Sequence, residues 1–267
     1  MIILDNVLTE IHSQIAMHQP ERGGALYGPK FQRAVTHFEY DKEGETSAVS
    51  YVPSLRLIEN VKTVENHIGL QFKGIIHSHP RGFDRPSAGD LMAVQSFFRL
   101  NPHLSSMALP IVQQIHVPTE QQGLGFIHWF NAVKTLKPAE LNPLSNGLQT
   151  AQTNIQIIAE DLFVIPLFKD VNSLVRALAL KGVELKITPK VQHLQIENAH
   201  LLGLVASNDD HQEFMFFLNL DYPLTSPIVL YQDNNQTKQL SFPWTGFDDK
   251  EASLNRMVDA LLPTFHS

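Results

Sequence analysis

The chain has 267 residues, 43% of them hydrophobic, which suits one large or two modest globular domains. It has no cysteine, so disulfides, thiolate-bound metal and cysteine nucleophiles are all excluded. A formal charge of −7 without a Lys/Arg cluster argues against nucleic acid, and the lack of a long apolar run or a signal-like N-terminus leads us to expect a cytoplasmic protein without membrane partners.

Leu4, Val7, Leu8, Ile11 and Ile15 recur at helical spacing and predict an amphipathic first helix that ends before Pro20. Strand-like segments follow at 24–28 and 32–40, then a polar turn over 41–45 and a further strand pair near 47–52. Ser54 is a plausible N-cap for a helix to about residue 67, with Leu57, Ile58, Val61, Val64 and Ile68 as its buried face. The segment Phe72-Lys73-Gly74-Ile75-Ile76 then reads as a short buried strand.

That strand runs into His77-Ser78-His79-Pro80, followed by Ser87 and Asp90. Side chains alternate along a strand, so His77 and His79 project from one face, close enough to grip one metal ion. Asp90 supplies a third ligand, leaving a fourth tetrahedral position open for water, as in a catalytic zinc site. Ser87 with an acid three residues later also matches a helix N-cap, and capping alone accounts for that pair about as well. It does not account for the two histidines. A metal hydrolase needs a base, and Glu21, ahead of the glycine-flanked run Gly23-Gly24-Ala25-Leu26-Tyr27-Gly28, is the best candidate. From spacing alone, a solvated acid at a helix-to-strand turn explains Glu21 better.

Glu21-x-x-Gly24, then His77-x-His79, seven residues, Ser87, two residues and Asp90 resembles the pattern of the JAMM (MPN-plus, JAB) zinc isopeptidases over about residues 1–135. The resemblance implies the MPN fold, a cytidine-deaminase-like mixed α/β sheet flanked by helices. It implies one zinc per chain on His77, His79 and Asp90, Glu21 as general acid/base, and Ser87 as a donor to the oxyanion. It also implies cleavage at the C-terminus of a ubiquitin-like protein or its conjugates. Two alternatives stay open: a non-catalytic scaffold of a conjugation assembly, and an amide hydrolase acting on a small sulfur-carrier adduct.

Strands near 111–117 and 125–131 close this first domain, and the Pro/Asn/Gly-rich stretch 136–153 reads as a linker. In the remainder, 154–267, a helix near 171–180 precedes three strands at 191–196, 201–207 and 213–220. Tyr222-Pro223 and Pro227, a further strand, the Phe242-Pro243-Trp244 patch and a helix over about 249–262 complete the chain. This order resembles the RWD and ubiquitin-conjugating-enzyme superfamily. Without cysteine it implies a smaller α+β binding domain that carries no thioester, with activating or conjugating enzymes of the same pathway as possible partners.

Overall fold

A computed structural model describes the chain except for residues 31, 68–69, 116–125, 137–152, 197–198, 210–211, 220, 234–235, 246–248 and 266–267. The described residues form a mixed α/β protein with several sheets and five α-helices, and divide into two compact units. The first comprises Met1 and Val7–Phe163; the second comprises Ile2–Asn6 and Val164–Ser267. Residues 137–152, most of the expected linker, lie outside the described residues. The first unit reaches Phe163 because strand Thr153–Ala159 pairs antiparallel with Phe130–Leu136, from Phe130 opposite Ala159 to Leu136 opposite Thr153.

The first unit is built around the strand Leu70–His79. Gly23–Pro29 pairs antiparallel along one edge of it, and His37–Tyr40 pairs with Gly23–Pro29 in turn. On the other edge, Ser106–Ala108 lies parallel beside Gly74 and Ile111–Gln113 lies parallel beside His77–His79. Gly74 is required here, since a Cβ would sit 1.9 Å from the Ala108 carbonyl oxygen. Helix Leu55–His67 buries Leu57 with Ala25, Tyr27, Leu70 and Phe72. Helix Ala88–Leu100 presses Val94 and Phe98 onto Met107, Leu109 and Ala132. Ile75 and Phe97 touch both clusters, so the two helices share a core on the face of the sheet from which His77 and His79 also project.

Several local expectations differ from the structure, and Ile68 of the expected helix face lies outside the described residues. Leu4 lies in a short strand, Ile2–Leu4, and the first helix spans Asp5–Ile11 before passing into a wider π turn over His12–Ala16. Ile58 is half exposed, because Leu57, Val61 and Val64 already fill the narrow contact with the sheet. The closing strands are shorter and displaced, at Ile111–Gln113, Ile127–His128 and Phe130–Leu136.

The second unit is a five-stranded antiparallel meander: Lys186–Ile196, Ala199–Ser207, Glu213–Leu218, Ile228–Asp233 and Gln236–Leu240. Helix Leu167–Ala179 packs on its first two strands and on the last helix, Lys250–Phe265. The Asp5 carboxylate accepts the N–H groups of Phe168 and Lys169, satisfying donors that the first turn of Leu167–Ala179 leaves open. No helix among the described residues is long and apolar enough to cross a membrane.

Candidate metal centre

His77 and His79 occupy the end of the central strand, 4% and 5% exposed, with Ser78 between them fully buried. Asp90 reaches them from the opposite side. Its carboxylate lies 3.1 Å from His77 Nε2 and 3.3 Å from His79 Nε2, and the two ring nitrogens are 3.0 Å apart. Ligands about 2.0–2.1 Å from a tetrahedral zinc are about 3.3 Å from one another, so these three donors are spaced as a small cation requires. Two neutral imidazole nitrogens aimed at each other at 3.0 Å repel unless a proton or a cation sits between them. The donor set therefore fits a metal ion.

Each donor is held from behind, as oriented metal ligands generally are. Asp90 belongs to a capping box: Ser87 Oγ accepts the Asp90 N–H at 3.2 Å, and Asp90 Oδ2 accepts the Ser87 N–H at 2.6 Å. The two readings of Ser87 and Asp90 thus coexist, since capping aims the carboxylate at the histidines. The backbone of Phe83 favours the charged form of His79. The Tyr51 ring stacks on His77, with centroids 6.2 Å apart and planes 22° from parallel. Tyr51 also covers Gly23, where a Cβ would fall 2.3 Å from its ring. Its hydroxyl donates to Asp41, a buried carboxylate that also accepts from the backbone and side chain of Ser54.

Glu21 is 3% exposed and lies just ahead of strand Gly23–Pro29. Gly23 faces His77; the Ser78 N–H donates to the Arg22 carbonyl at 2.7 Å and Ser78 Oγ accepts the Arg22 N–H at 2.9 Å. Continuing that pairing brings Glu21 level with His79. Its own N–H donates to the Ser47 carbonyl at 3.0 Å, tying it to the hairpin Glu45–Ser47/Ser50–Val52. Glu21 is thus a buried acid beside the cluster, not a solvated turn residue.

The electrostatics separate the two acids. Burial pushes Glu21 up to about 7, the His79 charge opposes this and Asp90 reinforces it. Burial also acts to raise Asp90, but the bonds from His77, His79 and the Ser87 backbone outweigh it and hold the carboxyl well below the usual carboxylate range. For His79, burial acts downward, and the bond to Asp90, with the nearby charges of Asp90 and Glu21, reverses it to a net rise. One acid stays ionised and the other is poised to take up or release a proton near neutrality.

The structure thus brings His77, His79 and Asp90 into one cluster with Glu21 beside it, while Ser87 stands at the helix cap with its side chain exposed. Glu39, another acid of the early strands, accepts hydrogen bonds from Tyr27 and Asn60. Ser78, Tyr51 and Asp41 were not singled out from sequence. The position of Ser78 between two histidines on a buried strand was the available signal; Tyr51 and Asp41 carried none.

No family model and no curated protein sequence matches the chain. It is similar to the solution structure of a protein from Desulfitobacterium hafniense at 17% identity and a TM-score of 0.39, covering 62% of this chain and 94% of that one. It is also similar to the crystal structure of a JAB1/MPN domain protein from Archaeoglobus fulgidus, at 18% identity and a TM-score of 0.28 over 48% of this chain and 85% of that chain. At these scores the overlays carry no argument, and the functional reading rests on the residues of the site.

Proposed function

We propose that the chain is a zinc-dependent isopeptidase or peptidase of the JAMM type, with an MPN-like first unit, that cleaves at the C-terminus of a ubiquitin-like protein in a prokaryotic-type conjugation system. The observation that supports it is the convergence of His77, His79 and Asp90 on one point beside a buried Glu21.

Held by those three residues, zinc would supply Lewis-acid chemistry, acidifying water and polarising a carbonyl. Glu21 receives the proton of the attacking water and delivers it to the leaving amine; a carboxyl raised to about 7 suits both halves of that transfer. Ser87 Oγ accepts the Asp90 N–H, and its own O–H remains free to donate to the carbonyl oxygen as negative charge develops there. Tyr51 keeps the His77 ring in its plane and walls that side of the site from water.

In this reading the second unit is an RWD-like docking domain for the substrate protein or for activating and conjugating enzymes of the pathway, and the protein works in the cytoplasm. Its order of helix, meander and final helix supports that role. The test is incubation of the zinc-loaded full chain with ubiquitin-like fusions encoded in the same genome, with and without chelator. Release of the fused tail partner only in the presence of metal is expected. Intact fusions in both conditions would contradict the proposal.

A further inference from the structure

The face of the sheet that bears the metal ligands continues past them. His77 is in register with Ile111, and Ile111 with His128. The His128 side chain therefore leaves the sheet on the same side, two strand spacings or about 10 Å away. Phe130 and Ile157 extend this face on the neighbouring strand pair, where Phe130 opposes Ala159 and Ile157 opposes Ala132. Facing them are Arg85, Pro86 and Leu91, residues of the loop and first helical turn that carry Ser87 and Asp90. The two walls enclose a recess of about 560 Å³, within the range of ~300–1,000 Å³ typical of binding pockets. Its walls are apolar apart from His128 and the exposed Asp84 and Arg85, and Leu91, Phe130 and Ile157 are only half buried. One polar atom stands out: His128 Nε2 is shielded from solvent and has no hydrogen-bond partner among the described residues. A sheltered ring nitrogen in an apolar recess leaves an unmet demand that an occupant's polar atom satisfies.

We propose that this recess is the subsite for the leaving-group residue of the hydrolysis, and that it selects a large apolar side chain ending in a single hydrogen-bonding atom, of the tyrosine type, with that atom on His128 Nε2. The inference rests on the hydrolytic reading above. A ubiquitin-like tail is thin and glycine-ended, so it cannot fill such a space from the acyl side; the bulk belongs to the amine side. Leu91 and Phe130 would sandwich the ring, while Arg85 and Pro86, which immediately precede Ser87 in the chain, line the same recess. His128 acts here as a specificity residue, without a part in proton transfer.

The test uses the zinc-loaded full chain and three tail peptides identical up to the scissile bond, with Gly, Phe or Tyr next. The expected order of kcat/KM is Tyr over Phe over Gly, with Phe ahead of Gly by ~10-fold or more, the range that filling an apolar pocket gives. His128→Leu should abolish the preference for Tyr over Phe and retain that for Phe over Gly. Leu91→Trp should collapse the Phe-to-Gly ratio by occupying the space. Equal rates for the three peptides in the unmodified protein, or an unchanged Tyr-to-Phe ratio in His128→Leu, would overturn the proposal. A second measurement is independent of turnover: titration with N-acetyl-tyrosinamide, followed by NMR at the His128 ring and the Leu91 methyls. Shifts at both, with the Leu91 shift weakened in His128→Leu, would support the recess even if no peptide is cleaved, an outcome that would sink the hydrolytic reading alone. No shifts at saturating concentrations would overturn the recess itself.

Discussion

Two aspartates set among polar partners, Asp90 in the first unit and Asp170 in the second, are finished differently. In the second unit, Asp170 is 2% exposed; Tyr222 donates to it at 2.5 Å and Lys250 at 2.8 Å. Its carboxylate is matched by a cation and a hydroxyl, and the cluster is complete as it stands. In the first unit, Asp90 faces two imidazoles whose nitrogens also face each other, an arrangement that a proton or a cation at their centre relieves. A closed network contributes to stability. An open one is arranged for something that binds.

That contrast can be broken by substitution. The largest effect expected is on turnover: Glu21→Gln should retain metal yet lose ~100- to 10,000-fold in kcat, because it removes the proton acceptor and leaves the three ligands intact. Steady-state rates on a cleavable tail fusion, with zinc content measured on the same samples, check this. A near-normal rate would remove Glu21 from the mechanism.

Next is the closed cluster. Asp170→Ala should cost about 3 kcal/mol of unfolding free energy, since it strands the Lys250 charge and the buried Tyr222 hydroxyl. Urea unfolding measures the loss, and zinc content should be unchanged.

Glu21→Gln should also act in the opposite direction on stability. A carboxyl raised from about 4.5 to about 7 by burial is favoured in its neutral form in the folded chain. The cost of ionising it is absent below about 4.5 and grows as pH rises to about 7. The metal-free variant should therefore be more stable than the unmodified chain by about 2–3 kcal/mol at pH 8 and no more stable at pH 4. Asp90 runs in the opposite direction with pH, and His79 in the same direction as Glu21. The depressed Asp90 carboxyl contributes stability that is lost as pH falls below the usual carboxylate range, and the raised His79 contributes stability below about 6.5 that is lost as pH climbs through its folded value. Unfolding curves at several pH values, with chelator present, separate these contributions.

The smallest effect is at Tyr51. Tyr51→Phe keeps the ring on His77 and loses only the hydrogen bond to Asp41, so about 1 kcal/mol of stability should go while metal content stays the same. A large loss of zinc would mean that the hydroxyl, through Asp41, fixes the ligand geometry.

How much of this was legible in sequence follows the range of the interactions. The histidine pair depends on the two-residue period of one strand, and the approach of Asp90 depends on a helix cap three residues long; both are local and both were readable. The close approach of Tyr51 to Gly23 joins residues 28 positions apart, and no local pattern marks it. Long-range pairings were not readable. Strand Thr153–Ala159 finds its partner across residues 137–152, so sequence texture alone put a boundary near 136 where the first unit runs on to Phe163. Ile58 has helical spacing with Leu57 and Val61, but a helix on a sheet buries a narrower stripe than the apolar pattern offers. The recess around His128 was invisible for the same reason, since its walls come from three separate stretches of chain.

The central claim is that His77, His79 and Asp90 form a metal centre, and zinc stoichiometry on the purified full chain tests it most directly. The account predicts close to one zinc per chain in the unmodified protein and close to none in the His77→Ala/His79→Ala double variant, with folding of both checked by circular dichroism. Full metal content in the folded double variant would contradict it.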